Sequence, residues 1–320
     1  MSIILIALNE SDVPEELRRR AQELCPDARV VITPDREEIE PLLDEIEVAA
    51  ARFPIQWIPR ARNLRWFQQW GAGTDWLLNH PEIAQLDFHL TNASGVSAIP
   101  ISEHIFAFML AFARRLPEAM KAQALRRWDR LMETPTFELA GKTMLLVGVG
   151  AIGRKTAQMA AALDMRVIGV RSDPSKSVDE VDRMVGTEDM LEVLPDADFV
   201  VLTIPLTEET RGIVNREFFD RMKPSAYLIN IGRGGTVDQE ALIEALLTEK
   251  VAGAGLDVFE TEPLPETSPL WGFPNVIITG HYSGETPHYN QRALEIFIDN
   301  LERYSRGQDL RNLVDKQKGY

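Results

Sequence analysis

Cysteine is nearly missing from this sequence: Cys25 is the one such residue among 320. It cannot close an intrachain disulfide and stands in no metal-ligand spacing, which excludes an oxidatively stapled domain and a cysteine-based zinc site. A reducing cytoplasm is the expected compartment. Basic residues are in deficit, 34 Lys and Arg against 49 Asp and Glu, for a formal charge of −15 without an acidic tail. That balance argues against nucleic acid and anionic membrane as partners, and any anionic ligand needs a local basic site. Long apolar runs are missing too, since no stretch approaches the ~20 residues of a membrane span. The opening run 1–8 lacks a basic flank and leaves through Asn9 and Glu10, so it reads as a first strand and not as a signal peptide. What is present is ordinary for a folded soluble chain, 45% hydrophobic and 26% charged residues, at a length that predicts two domains with a real core.

Short β-rich runs at 3–8 and 29–33 alternate with helical patterns at 14–24 and 36–46, and further strands are expected at 47–50, 64–69 and 87–91. This alternation is the signature of βαβ units on a parallel sheet. In the next helix, 101–116, Ile105, Phe106, Phe108, Met109, Leu110 and Phe112 point in nearly every direction, which leaves no ordinary polar face. Two placements stand for it, a central helix packed between domains and a subunit interface. A helical stretch at 117–128 carries Arg126, Arg127 and Trp128. From Lys142 a second series begins, with strands at 143–147, 166–170, 199–203, 227–230, 252–256 and 276–279 and helices at 152–163 and 239–247. It makes a doubly wound unit in its own right. The last helix, 285–304, carries Leu294, Phe297, Ile298 and Leu301 on one stripe and is expected to dock on the first unit. The expected domains are 1–99 with 285–320, and 100–284.

Gly148-Val149-Gly150-Ala151-Ile152-Gly153 follows an apolar strand directly and opens a helix. In that context the first glycine permits a tight turn, the second admits a pyrophosphate to the backbone and the third lets helix and strand pack closely. At the end of the next strand an acidic residue would hold a ribose 2′-hydroxyl, whereas arginine accommodates a 2′-phosphate. Here Arg171 and Ser172 suit phosphate oxygens, while Asp173, one residue further, suits the ribose; both readings stand. Three more polar clusters follow strand ends, the edge where doubly wound sheets bind ligands. They are Asn230 to Gly235, containing Arg233; Asp257 to Leu264, containing Glu262; and Thr279 to Gly284, containing His281.

With these clusters in this order, joined by Leu202-Thr203-Ile204-Pro205-Leu206-Thr207 and by Ser268-Pro269-Leu270-Trp271, the chain resembles the D-isomer-specific 2-hydroxyacid dehydrogenase family over essentially its full length. The resemblance implies an α/β fold of two doubly wound parallel-sheet domains, a Rossmann cofactor domain inserted in a flavodoxin-like substrate domain. It implies Arg233 as the substrate arginine, His281 as general acid/base and Glu262 as its carboxylate partner. Cofactor contacts are implied at Gly148, Gly150, Ala151, Ile152, Gly153, Arg171, Ser172, Pro205, Ile231 and Asp257, the last near the nicotinamide amide. The substrate loop would be Trp70 to Asp75, with Gly71, Ala72 and Gly73 offering backbone N–H groups to a carboxylate. Two positions depart from the family pattern: Gly280 stands where a proline usually precedes the histidine, and Tyr282 follows it.

The residue types fit the chemistry as well. Reducing a 2-keto acid needs an anion clamp, a proton donor for the forming alkoxide and a hydride source nearby. Arg233 supplies a bidentate cation, and a carboxylate beside His281 favours the imidazolium. The leading expectation is therefore an NADP-dependent reductase of a small anionic 2-keto acid of the glyoxylate or hydroxypyruvate type, with NAD as the alternative cofactor, acting as a homodimer without metal. An NAD-dependent phosphoglycerate dehydrogenase-like enzyme is a second expectation, disfavoured because the sequence ends at Tyr320, about where the core fold is expected to end. A non-catalytic, nucleotide-sensing corepressor is the third.

Overall fold

Five aliphatic residues, Ile3–Ala7 (β1), are all buried, as befits a parallel strand covered on both faces. After it come α1 (Glu15–Leu24), β2 (Arg29–Ile32), α2 (Arg36–Ile39), β3 (Ile46–Ala51), β4 (Trp66–Gln69), α3 (Pro81–Ala84) and β5 (His89–Thr91). The sheet runs β2-β1-β3-β4-β5, every pair parallel, which is the flavodoxin-like order. The computed structural model describes residues 2–130 and 136–319. It divides into two units, Met1–Val96 with Thr286–Tyr320, and Ser97–Glu285.

The second unit contains α4 (Ala98–Arg114), α5 (Leu116–Ala124), β6 (Thr143–Val147), α6 (Ala151–Ala161), β7 (Arg166–Val170), β8 (Arg183–Val185), α7 (Met190–Val193), β9 (Phe199–Leu202), α8 (Arg216–Arg221), β10 (Tyr227–Asn230), α9 (Gln239–Leu247), β11 (Gly253–Leu256) and β12 (Val276–Ile278). Its seven parallel strands lie in the order β12-β11-β10-β9-β6-β7-β8. This is the Rossmann order, with β6 at the switch point, the chain winding first to one side and then to the other, and one strand added. The chain returns to the first unit as α10 (Tyr289–Ser305). There Leu294, Phe297, Ile298 and Leu301 pack with Ile4, Ile6 and Trp66 against one face of the first sheet. Buried Asn300 of α10 donates to Gln68 and to the Arg311 carbonyl, so its amide is paired inside the core.

Several boundaries differ from the sequence expectation, each for a local reason. The helix expected at 36–46 stops at Ile39 and continues as a 3₁₀ turn, Glu40–Leu42, because Pro41 has no N–H to extend the ladder. The stretch at 117–128 ends at Ala124, and Arg126 takes φ 54°, a left-handed exit from the helix. Helix α4 begins earlier than expected, with Pro100 in its first turn, where the missing N–H costs nothing. Helix α10 begins later, after Pro287, which disfavours helix at the residue before it. Of the six apolar α4 residues expected inside, Leu110 is exposed and the other five are buried.

Candidate active site

The turn from β6 into α6 is built to be narrow on one side and open on the other. Gly148 has φ 99°, and a Cβ there would sit 2.9 Å from Thr203 Oγ1 and from Ile204 Cγ2. A Cβ on Gly153 would lie 2.3 Å from the Gly148 carbonyl oxygen, so the helix can press onto the turn only without a side chain. Gly150 faces the opposite way, with no atom within 4 Å of the place a Cβ would take. It stands at the N-cap of α6, whose first residues are Ala151 and Ile152, with no side-chain capping hydrogen bond there. Uncapped N–H groups beside an open glycine fit a pyrophosphate.

Beyond β7 the loop engages both Asp173 and Arg171 in local contacts. Asp173 Oδ1 accepts from the Ser175 N–H at 3.2 Å and from the Ser175 hydroxyl at 2.5 Å, and Lys176 Nζ lies 3.4 Å from Oδ2. The Ser175 hydroxyl, chiefly, holds this carboxyl below its usual range. Arg171 donates from its backbone to the Val185 carbonyl and from Nη1 to the Lys176 carbonyl at 3.3 Å, with exposed Ser172 beside it.

Arg233 lies in a turn that its neighbours fix. Asn230 Oδ1 accepts from the Gly232 N–H, while Asn230 Nδ2 and Thr236 Oγ1 both donate to the Arg233 carbonyl. Gly232 passes so close to Ile204 that a Cβ would meet its carbonyl oxygen at 2.7 Å, and a Cβ on Gly234 would meet the Phe259 backbone at 1.8 Å. Glycines on both sides are therefore a steric requirement of the turn. Ile231 is buried beneath it, and the Pro205 carbonyl accepts from Thr210 Oγ1 at 2.7 Å.

Glu262 and His281 meet directly: Nδ1 of the imidazole is 2.7 Å from Oε2, and Oε1 accepts from the Phe259 N–H at 2.9 Å. A carboxylate can only accept, so Nδ1 carries the hydrogen and Nε2 is left for other chemistry. The His281 backbone is left-handed, φ 55°. Asp257, fully buried at the end of β11, holds this loop in place. Its carbonyl accepts from the His281 N–H, Oδ1 from Thr279 Oγ1 and the Tyr282 N–H, and Oδ2 from the Ser283 N–H. Burial works against the Asp257 charge, but the bonds from Ser283, Thr279 and Tyr282 outweigh it and keep the carboxyl below its usual range. A group that sequence reasoning did not find completes the cluster: His104 of α4 lies with Nε2 3.0 Å from Thr279 Oγ1.

The other unit contains the loop at Gly71, Ala72 and Gly73. Gln69 Nε2 donates to the carbonyls of Gly71 and Gly73, and Asn92 Nδ2 donates to that of Ala72 at 2.9 Å. With three successive carbonyls held by amides, the backbone of this loop is fixed from within its own unit. Trp57 is core, while the indoles of Trp70 and Trp76 donate to Asn290 and Gln69. Among the described residues no group of three or more His, Cys, Asp or Glu is placed to hold a metal ion, and no helix is long and apolar enough to cross a membrane.

Residues 106–283 match the family described as D-isomer specific 2-hydroxyacid dehydrogenase, NAD binding domain. A glyoxylate reductase of Thermofilum pendens is 36% identical over 80% of this chain and 76% of its own length. A D-3-phosphoglycerate dehydrogenase of Methanocaldococcus jannaschii is 34% identical over 81% of this chain, which spans 49% of that protein. Among solved structures, the NADPH-dependent glyoxylate/hydroxypyruvate reductase of Sinorhizobium meliloti, in complex with NADP and sulfate, superposes with a TM-score of 0.83 at 27% identity, covering 100% of both chains.

Proposed function

The chain belongs to the D-isomer specific 2-hydroxyacid dehydrogenases, an oxidoreductase with an NAD(P)-binding domain, and from that premise we propose that it reduces glyoxylate or hydroxypyruvate with NADPH. The observation that carries this reading is the 2.7 Å contact between His281 Nδ1 and Glu262 Oε2, which presents Nε2 as a proton donor. The dinucleotide would lie on Gly148, Gly150, Ala151, Ile152 and Gly153, with Pro205 and Ile231 as further contacts, and when bound it supplies a hydride to the substrate carbonyl carbon; Asp257, expected as a contact, is instead fully buried and committed to Thr279, Tyr282 and Ser283. His281 gives its Nε2 proton to the carbonyl oxygen as that atom gains negative charge. Glu262 fixes the ring orientation and stabilises the imidazolium before transfer. Arg233 pairs with the substrate carboxylate, its guanidinium matching two oxygens at once.

Preference for NADPH is supported by Arg171 and Ser172 and by the engagement of Asp173 with Ser175 and Lys176, which leaves that carboxylate poorly placed to take a ribose. Comparing catalytic efficiencies with NADPH and NADH tests it. The wild type should favour NADPH by on the order of tens-fold, and Arg171→Ala should lose most of that preference. Equal use of both cofactors by the wild type would overturn the assignment. The D-3-phosphoglycerate dehydrogenase relatives support a second reading, for which NAD-dependent oxidation of D-3-phosphoglycerate is the discriminating assay. We place the enzyme in the cytoplasm on the strength of its single free thiol, Cys25.

A further inference from the structure

His104 is a second histidine beside the His281 loop, and the proposed chemistry leaves it unused. Its Nε2 is 3.0 Å from Thr279 Oγ1, which is 2.6 Å from Asp257 Oδ1. A hydroxyl has one proton to give. Asp257 Oδ1 already accepts from the Tyr282 N–H and belongs to a carboxyl held in its ionised form, so the threonine proton goes to Asp257. The threonine oxygen can then only accept, which requires the hydrogen of the His104 ring to be on Nε2. Burial favours the neutral ring, against the opposing pull of Asp257. The same imidazole meets the Tyr282 ring edge to face, with centroids 5.6 Å apart at 90°, and packs on Phe108 at 4.6 Å.

These contacts bracket His281 in the chain, Thr279 two residues before it and Tyr282 one residue after. The bracketed segment needs restraint, because His281 is held at φ 55° and the preceding Gly280 has no atom within 4 Å of a would-be Cβ. We propose that His104 is a positioning residue, donating from Nε2 to Thr279 and packing against Tyr282 so that His281 keeps its proton-delivering orientation. The proposal rests on the reading of His281 as proton donor.

Two variants separate the hydrogen bond from the packing: His104→Gln keeps an N–H donor, and His104→Phe keeps a ring but no donor. With folding checked by circular dichroism, His104→Phe should lower kcat for glyoxylate or hydroxypyruvate reduction by about tenfold, with a smaller change in KM, and His104→Gln should recover most of the loss. Nitrogen-15 NMR of the ring atoms is tractable with five histidines. In the wild type at neutral pH it should find His104 neutral with hydrogen on Nε2, and in His104→Phe the His281 ring resonances should shift or broaden. An Nδ1-protonated or cationic His104, or unchanged His281 resonances in His104→Phe, would overturn the proposal. A wild type that reduces no 2-keto acid would refute the functional reading alone, since the NMR arm still decides whether His104 holds the His281 ring.

Discussion

His104 and Asp257 answer burial in opposite ways, and the difference predicts how stability depends on pH. Asp257 keeps its charge because three hydrogen bonds from the 279–283 segment reward it; His104 sheds its charge because burial outweighs the pull of Asp257. For a base with a depressed folded-state pKa, neither state is protonated well above the ordinary value of ~6.5. As pH falls through that value the unfolded chain binds a proton that folded His104 refuses, so stability declines until the folded value is reached. Urea unfolding from about pH 7.5 down to about 5.5 should therefore show a steeper loss in wild type than in His104→Gln, and equal slopes would contradict the assignment. The meeting of Glu262 with His281 could be anticipated from the sequence because each follows a strand within a recognisable cluster. The sequence did not disclose His104, whose partner Thr279 is 175 positions away and whose own helix reads as core. The contacts of Asp173 with Ser175 and Lys176, and of Arg171 with the Lys176 carbonyl, were also illegible, because they form only once the loop has closed.

At the scale of elements, the β6–α6 turn gives its three glycines distinct costs. Gly153→Ala drives a Cβ to 2.3 Å from a carbonyl oxygen, and backbone must shift to relieve it. Overpacking of this kind should cost ~1–3 kcal/mol and lower Tm. Gly150→Ala meets open space and should fold with unchanged Tm, its effect confined to weaker NADPH binding in a fluorescence titration. Equal Tm for Gly153→Ala and wild type would mean that the turn is looser than the geometry states. Fully buried strands such as β6 and β9 were legible because burial on both faces leaves a nearly continuous apolar run. The three residues of β8 were not, since Arg183 and its two neighbours are too few to show any period. Pro41 was visible in the sequence, yet the strength of the flanking helical pattern concealed the break it makes.

For the whole molecule, alternation of strand and helix disclosed two α/β units, but the order of strands within each sheet depends on pairing between segments far apart in sequence and had to be observed. The second unit leaves a mixed apolar surface. Ile99 and Leu110 are exposed on one stripe of α4, Leu116 and Met120 on α5, and Trp128 beyond it is 96% exposed. We propose a second copy of the chain as its occupant, because two-fold dimers are the commonest assembly and such apolar exposure is costly in water. Light scattering at micromolar concentration should return about twice the chain mass of 36.1 kDa, and a value at 36.1 kDa would refute the dimer. The central claim is that His281, held by Glu262, delivers the proton while hydride reaches the carbonyl carbon. Single-turnover NADPH oxidation with glyoxylate or hydroxypyruvate, comparing wild type with His281→Ala, tests it most directly. The account predicts a chemical step slowed by ~10²–10⁴-fold with NADPH binding retained; a variant that reduces substrate at the wild-type rate would contradict it.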